Sequence, residues 1–431
     1  MSPFQTCTDC PVFRRRSRSS FALRLFACLL ACGVAVAAIP AAAGDGAAAM
    51  QPARLLVGQT VDQDVFVNHL PDRDFIGPGT IVLANGEILM AAPWGRPPTN
   101  FEHLATTFPV PIIYRSTDGG RTWQKQGHLK IEWPLTGMVS DQGISFLRLK
   151  DGRLAIVMPR HVPGLHGGGV PAISFSSDDG ATWSAAKMLI EQDDAYYVMN
   201  DRLIQLESGR LLLPVSRKAG KHEGDRDESL AMLSDDGGAS WRLSRGRARL
   251  DKPRGMQEPC AVELADGRVR LLARTGAGSI HSSLSADGGE TWSAPEPTTL
   301  TAHCSPLTLR RARAPDGRLV CLYNHATPLK DGPYKDGAFF PRTPLVYAVS
   351  ADDGATWSAP FLIDATGAEQ LDRQNVYPSA CFTAEGMVVV WSTHVADPKG
   401  GFSVARPDDW KIGGGKRAII ALPALQRPGD Q

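Results

Sequence analysis

One eight-residue pattern constrains this chain more than any other feature. Ser-x-Asp-x-Gly-x-Ser/Thr-Trp occurs at 116–123 (STDGGRTW), 176–183 (SSDDGATW), 234–241 (SDDGGASW), 285–292 (SADGGETW) and 350–357 (SADDGATW). Successive copies start 60, 58, 51 and 65 residues apart. Repetition at that period marks a supersecondary unit used several times over. The residue types suit a tight hairpin turn: Ser and Asp side chains bond nearby amides, Gly accepts positive φ, and Trp packs over the turn. A strand-like run precedes each copy, such as PAISFS at 171–176 and PLVYAVS at 344–350.

A second, independent repeat sets the count. A hydrophobic run, a glycine turn and another hydrophobic run recur six times, around Gly86, Gly152, Gly209, Gly267, Gly317 and Gly386. Each reads as a two-residue or slightly longer β-hairpin. Six hairpins and five boxes, at about 60 residues per unit, predict four-stranded sheets arranged radially. The expected fold is therefore all-β, a six-bladed β-propeller over residues 44–431. The stretch 403–410 (SVARPDDW), ending at Trp410, reads as a degraded sixth box. Long helical periodicity is absent, and no Pro/Gly/Ser-rich linker marks off a second domain.

Residues 1–43 read as a signal peptide rather than part of the fold. Arg14, Arg15, Arg16, Arg18 and Arg24 precede the apolar run 25–40, and the small residues of AAAGDG follow. That order predicts cleavage near Ala43 and an exported, periplasmic or extracellular protein. The whole chain carries 46 basic and 45 acidic residues. Loss of the leader's five Arg and one Asp leaves a slight acidic excess, and no basic stripe suggests nucleic acid. No other apolar stretch is long enough to span a bilayer. Cys260, Cys304, Cys321 and Cys381 lack CxxC spacing, which argues against zinc; disulfides and buried free thiols both remain open. No metal or cofactor is expected, and a monomer is.

The repeated box resembles the Asp-box, or BNR repeat, of the sialidase superfamily, over nearly all of the mature chain. That resemblance implies boxes at the outer rim of the propeller, away from the site. It also implies a three-arginine clamp for a substrate carboxylate, a Tyr nucleophile activated by a Glu, and an Asp acid/base; glycosidases with a Tyr nucleophile are a recognised exception to the two-carboxylate rule. Segment 256–278 resembles the family's Glu-then-Arg segment, which places Glu258 and Arg274. Segment 339–357 resembles the third-arginine segment, which places Arg342 eight residues before Ser350. Segment 375–391 resembles the tyrosine segment, which places Tyr377. Two features depart from the pattern. Ile76 stands where the first arginine belongs, and Pro93 or Trp94 where the usual Asp does.

Arg274 and Arg342, expected on adjacent inner strands, suit bidentate binding of a carboxylate; a pair of surface or ion-paired arginines is the plainer reading. Tyr377 with Glu258 suits a neutral nucleophile and its base, against a core tyrosine and a salt-bridged glutamate. Replacements for the missing pieces come from polar residues at strand starts. Arg202, in Asn200-Asp201-Arg202, is the candidate third clamp arginine, with Asp201 as its ion-pair partner. Asp141 is the first candidate acid, ahead of Asp74 and Glu102. His161, His166, His303 and His325 show no HxH or HExxH spacing for a metal. The expected partner is a glycan with a terminal acidic sugar, sialic acid foremost. A glycosidase or lyase acting on another acidic glycan and a non-catalytic binding propeller are the alternatives.

Overall fold

The computed structural model describes residues 51–52, 77–92, 111–132, 143–160, 169–191, 196–218, 226–252, 254–312, 317–326, 342–365, 373–395 and 411–421. All regular structure among them is β, in six sheets arranged as the blades of a propeller. Blade 1 comprises Gly79–Val82, Ile88–Ala92, Ile112–Ser116 and Gln124–His128. Blade 2 comprises Ser145–Arg148, Leu154–Arg160, Val170–Ser176 and Lys187–Met188; blade 3 comprises Ile204–Gln205, Leu211–Lys218, Asp227–Ser234 and Arg242–Leu243. Blade 4 comprises Gln257–Glu263, Val269–Arg274, Ser279–Ser285 and Glu296–Thr301. Blade 5 comprises Thr308–Arg311, Leu319–Asn324, Leu345–Ser350 and Phe361–Asp364; blade 6 comprises Arg373–Phe382, Gly386–Val395 and Lys411–Ala421.

Two details differ from four uniform strands per blade. Blade 6 shows three strands among the described residues, and the degraded box at 403–410 lies outside them. Blade 5 gains a fifth strand, because Gln51–Pro52 pairs in parallel with its outer strand Phe361–Asp364. The leader at 1–43 also lies outside the described residues.

The predicted glycine turns join the first and second strands of every blade. In four of them the loop has three residues closed by a pair such as Leu83 and Glu87, with the last residue at positive φ: Gly86, Gly152, Gly209 and Gly267. That is the three-residue hairpin loop with a left-handed final residue. Hydrophobic clusters fill the spaces between neighbouring blades: blade 6 packs on blade 1 through Val388, Val390, Ile88 and Met90, and blade 4 on blade 5 through Cys260, Leu272, Leu319 and Val346.

The boxes turn the third strand into the fourth. In the fourth copy, Ser285 Oγ donates to Asp287 Oδ1 (2.8 Å) and accepts from the Gly289 amide (2.8 Å). Asp287 then accepts from the amide (2.9 Å) and hydroxyl (2.7 Å) of Thr291. The other four copies repeat this network. The Trp reaches further than a plug over its own turn: Trp183 packs against the cluster shared by blades 1 and 2, and Trp357 against the cluster shared by blades 4 and 5. Gly289 is required twice over. Its φ is +88°, and a Cβ there would lie 2.4 Å from Leu212 Cδ1 of blade 3. Asp353 Oδ2 accepts from the Ala265 amide of blade 4, and Asp179 Oδ2 from the Ala84 amide of blade 1. Each box therefore latches its blade to the one before.

The box carboxylates are ionised structural groups. The Thr182 hydroxyl and amide hold Asp178 at about 2, and Ser240 does the same for Asp236. Burial opposes ionisation of Asp287, yet Thr291 brings it to about 2 as well. Their folded values lie below the ordinary unfolded value of about 3.9, so their stabilisation is full above that pH and fades as pH falls towards 2. Chemical denaturation as a function of pH should therefore show stability falling from about pH 4 downward. Asp236→Asn should be less stable at pH 7 and should lose less on acidification; an unchanged slope between pH 4 and 2 would refute the assignment.

Candidate active site

Glycine turns and boxes share one end of the propeller. The residues singled out for chemistry gather at the other, where first strands begin and second strands end. Glu258 lies at the start of blade 4's innermost strand, and its neighbour Gln257 pairs in register with Arg274 at the end of the second strand. Tyr377 lies on the innermost strand of blade 6. Both carry the same irregularity. The ladder slips between Gln257 and Cys260, and between Val376 and Ser379, and the residues at those bulges are left-handed: φ is +48° at Glu258 and +51° at Tyr377. A bulge re-aims a side chain that the regular pleat would point elsewhere. Positive φ at a non-glycine residue costs on the order of 1–3 kcal/mol and persists only where neighbours enforce it.

The enforcing contacts are visible. The Glu258 amide donates to Ser216 Oγ (3.0 Å), and Asn200 Nδ2 donates to the carbonyls of Tyr377 (3.3 Å) and Pro378 (2.8 Å). Asp201 accepts from the Ala380 amide (2.9 Å) and pairs with Arg310 (2.7 Å). Arg202 donates to the carbonyls of Asn200 (2.6 Å), Leu307 (2.9 Å) and Glu258 (3.3 Å), and both its own amide and that of Leu203 bond Ser145 Oγ. Residues 200–202 thus tie together the innermost strands of blades 2, 4, 5 and 6.

This corrects two expectations. Arg202 is 1% exposed, and its guanidinium is spent on backbone carbonyls rather than turned to a ligand. Asp201 pairs with Arg310, not with Arg202. Polar residues at a strand start did signal something unusual, but it is an axial tie.

Glu258, Arg274, Tyr377 and Arg342 do come together. Arg274 Nη2 donates to Glu258 Oε1 (2.7 Å) and Nη1 to the Cys304 carbonyl (3.1 Å). Burial opposes the Arg274 charge, but Glu258 outweighs it and the guanidinium is held above its ordinary range. The second carboxylate oxygen, Glu258 Oε2, is buried without a hydrogen-bond partner. Arg342 lies just ahead of blade 5's third strand, where its carbonyl accepts from the Asn375 amide (2.8 Å). Its guanidinium sits over the Tyr377 ring, 5.7 Å from the centroid. The two arginines therefore reach the site from a second strand and from the approach to a third, not from adjacent inner strands. Burial raises the Tyr377 phenol above its ordinary value, Glu258 adds to the rise, and Arg342 and Arg274 oppose it.

Two further residues belong to this network. Asp227 begins blade 3's third strand, is buried, and accepts from Gln257 Nε2. Burial raises its carboxyl above the ordinary range, with Arg274 and Gln257 opposing and Glu258 adding. Tyr197 is pushed up to about 12 by burial and by the charges of Asp227 and Glu258. In the sequence Asp227 is one acid of the charged run 221–228, with no local feature to set it apart. Asp141, Asp74, Glu102, Ile76, Pro93, Trp94, His161 and His166 lie outside the described residues. His303 and His325 lie at the blade 5 connections, and among the described residues no group of His, Cys, Asp or Glu is arranged to hold a metal ion. All four cysteines that were left open are free and buried.

Comparison with known proteins fits this architecture. Residues 167–390 match the family described as BNR repeat-like domain, and residues 114–125 match the BNR/Asp-box repeat. The chain belongs to that family, and is an Asp-box protein of the sialidase superfamily. It is 26% identical over 364 residues to a sialidase of Micromonospora viridifaciens, covering 74% of this chain and 52% of the relative. An anhydrosialidase of Macrobdella decora is 31% identical over 132 residues, covering 28% of this chain and 16% of the relative. The chain thus spans about half or less of the length of these curated relatives. A leech intramolecular trans-sialidase solved with 2,7-anhydro-Neu5Ac superposes with TM-score 0.58 at 16% identity, covering 86% of this chain and 71% of the other. A protein of unknown function from Dyadobacter fermentans superposes with TM-score 0.61 at 19% identity, covering 84% and 99%. These superpositions show the fold.

The axial tie is open to a direct test. Asp201→Asn should cost about 1–3 kcal/mol, because it removes the charge that Arg310, part-buried beside it, faces. The double variant Asp201→Asn/Arg310→Gln should cost less than the sum of Asp201→Asn and Arg310→Gln alone. Urea denaturation of the four proteins checks this, and strict additivity would show that the pair is not coupled.

Proposed function

We propose that this protein is a retaining exo-glycosidase that removes a terminal acidic sugar, sialic acid foremost, from a glycan. The observation that carries the reading is the convergence of Glu258, Arg274, Arg342 and Tyr377 on one end of the propeller, two of them held at bulges with positive φ. Arg274 and Arg342 supply the cationic face for the sugar carboxylate. Arg202 is left out of that clamp.

Tyr377 is the nucleophile in this reading. A neutral phenol approaches an anomeric centre beside a carboxylate without charge repulsion. Its raised pKa means that it reacts as the phenol, with the proton leaving as the new bond forms. Glu258 receives that proton on Oε2, the oxygen that Arg274 does not occupy. A bond forms between Tyr377 Oη and the anomeric carbon, and the bond from that carbon to the leaving oxygen breaks. Water then attacks the anomeric carbon and gives its proton to the conjugate base of the acid that protonated the leaving oxygen, while the bond to Tyr377 Oη breaks and Glu258 returns the proton to Tyr377. The leaving oxygen needs a proton from an acid, and Asp141 remains our candidate. Among the described residues, Asp227 is a buried carboxyl joined to this network through Gln257. The leader expected at 1–43 would place this chemistry outside the cytoplasm.

The departures at Ile76 and Pro93 favour a second reading, in which the same site acts on another acidic sugar such as a uronic acid. Turnover of an aryl α-sialoside by the purified protein tests the first reading. Tyr377→Phe and Glu258→Gln should each lower kcat by about 10²–10⁴-fold. Turnover confined to uronides would select the second reading. Failure of the parent on every acidic glycoside would overturn both, and equal turnover by parent and Tyr377→Phe would overturn the mechanism.

A further inference from the structure

The innermost strand of blade 6 carries Tyr377 at a bulge, and the bulge faces one particular residue. Val376 pairs with Ser392 and Ser379 with Val390, so Tyr377 and Pro378 together oppose Trp391. Two residues against one is the count that defines a bulge. The ladder alone does not dictate where that extra residue falls. Moving it along the strand past Tyr377 would turn that side chain to the other face of the sheet. A contact beside the bulge must therefore hold the register.

Asn375, two residues before Tyr377, is bound on every side at that point. It is fully buried, as are Asn324 and Trp391. Its amide donates to the Arg342 carbonyl (2.8 Å), and its carbonyl accepts from Asn324 Nδ2 (3.0 Å). Both backbone groups are thus tied to blade 5: Asn324 ends that blade's second strand, and Arg342 precedes its third. The side chain turns to its own blade. Asn375 Oδ1 accepts from Trp391 Nε1 (3.3 Å) and from Thr393 Oγ1 (3.1 Å). Thr393 is the register partner of Asn375, and Trp391 is the residue opposite the bulge. One side-chain oxygen therefore spans from a regular pair of the ladder to the bulge itself. The indole that meets it belongs to the cluster shared by blades 5 and 6, which fixes where its N–H stands.

We propose that Asn375 is a positioning residue for the reaction proposed above: it fixes the place of the bulge in blade 6, and so sets Tyr377 against Arg342. The inference rests on the roles given there to those two residues. The Arg342 guanidinium lies over the Tyr377 ring, 5.7 Å from its centroid. The main chain of Arg342 is bound to Asn375, and Tyr377 follows two residues later on the same strand. Nucleophile and clamp arginine are thus both referenced to one buried residue that need not touch the substrate. Alanine at 375 keeps the two backbone bonds and loses the oxygen. It leaves a buried indole N–H and a buried hydroxyl without that acceptor, and such unmet donors favour a shift of the strand.

The test observes Tyr377 directly and needs no substrate, so its failure is separable from failure of the proposed reaction. The purified full chain, labelled with ¹³C at tyrosine Cζ, gives a resonance for each of its 7 tyrosines. Tyr377→Phe and Tyr196→Phe identify the resonance at the site and one in the core between blades 2 and 3. In Asn375→Ala the Tyr377 resonance should move, and its titration should fall towards the ordinary tyrosine value of about 10. The Tyr196 resonance should stay in place. Thr393→Val removes one of the two side-chain donors to Asn375 Oδ1 and should move Tyr377 the same way but less. Thr393→Ser keeps the hydroxyl and should return it to the parent position. A Tyr377 resonance and titration unchanged in Asn375→Ala would overturn the proposal, as would an equal shift of Tyr196, the mark of general loosening. If Asn375→Ala does not fold, the Thr393 pair decides: identical Tyr377 resonances in Thr393→Val and Thr393→Ser would overturn it.

Discussion

The pair of buried Asp201 and part-buried Arg310 is the interaction on which the arrangement at the axis depends. Desolvating two charges is expensive, and the cost is recovered only when the geometry is good and the remaining polar atoms find partners. Here one oxygen of Asp201 meets Arg310 of blade 5 and the other accepts from Ala380 of blade 6. Arg202, the next residue, is buried as deeply and turns to carbonyls of blades 4 and 5. Asn200, the residue before, holds the carbonyls beside Tyr377. Three consecutive residues therefore fix where the inner strands of four blades stand, and with them the separation between Glu258 and Tyr377. The left-handed conformations at those two positions are what such over-determination permits.

The repeats were legible because each is self-contained. A Ser, an Asp, a Gly and a Thr within eight residues satisfy one another, so the pattern states its own structure. Hairpin glycines were legible for the same reason. Glu258, Arg274, Arg342 and Tyr377 were reached through resemblance, and the register of Gln257 with Arg274 explains why the first two lie sixteen residues apart. The axial tie was not legible. Its partners are largely backbone carbonyls and amides from distant segments, and a carbonyl leaves no trace in residue identity. Asn200-Asp201-Arg202 stood out as polar where apolar residues were expected, but nothing local distinguished a ligand-facing arginine from one facing Leu307 and Glu258. Asp201 could not be matched to Arg310 across more than a hundred residues. Asp227 was hidden differently, as one acid in a charged run whose facing depends on strand phase.

The site also shows why a fold assignment is not a functional one. The propeller supplies a closed ring and an axis; the chemistry depends on a few bulged positions and on which face of a strand an acid occupies. Asp227 and Glu228 illustrate the second point. They are chemically similar neighbours, yet one joins Gln257 and Arg274 and the other three different arginines.

The five boxes latch blades 1 to 5 each to the blade before, at one end of the propeller. The second strands end and the third strands begin at the other end. Mechanical closure and the candidate site thereby lie at opposite ends. The hydrogen bonds of the boxes are all made at the end away from the candidate site, so they place no demand on the sequence at that site. The regularity of one face is what gives the other its licence to diverge.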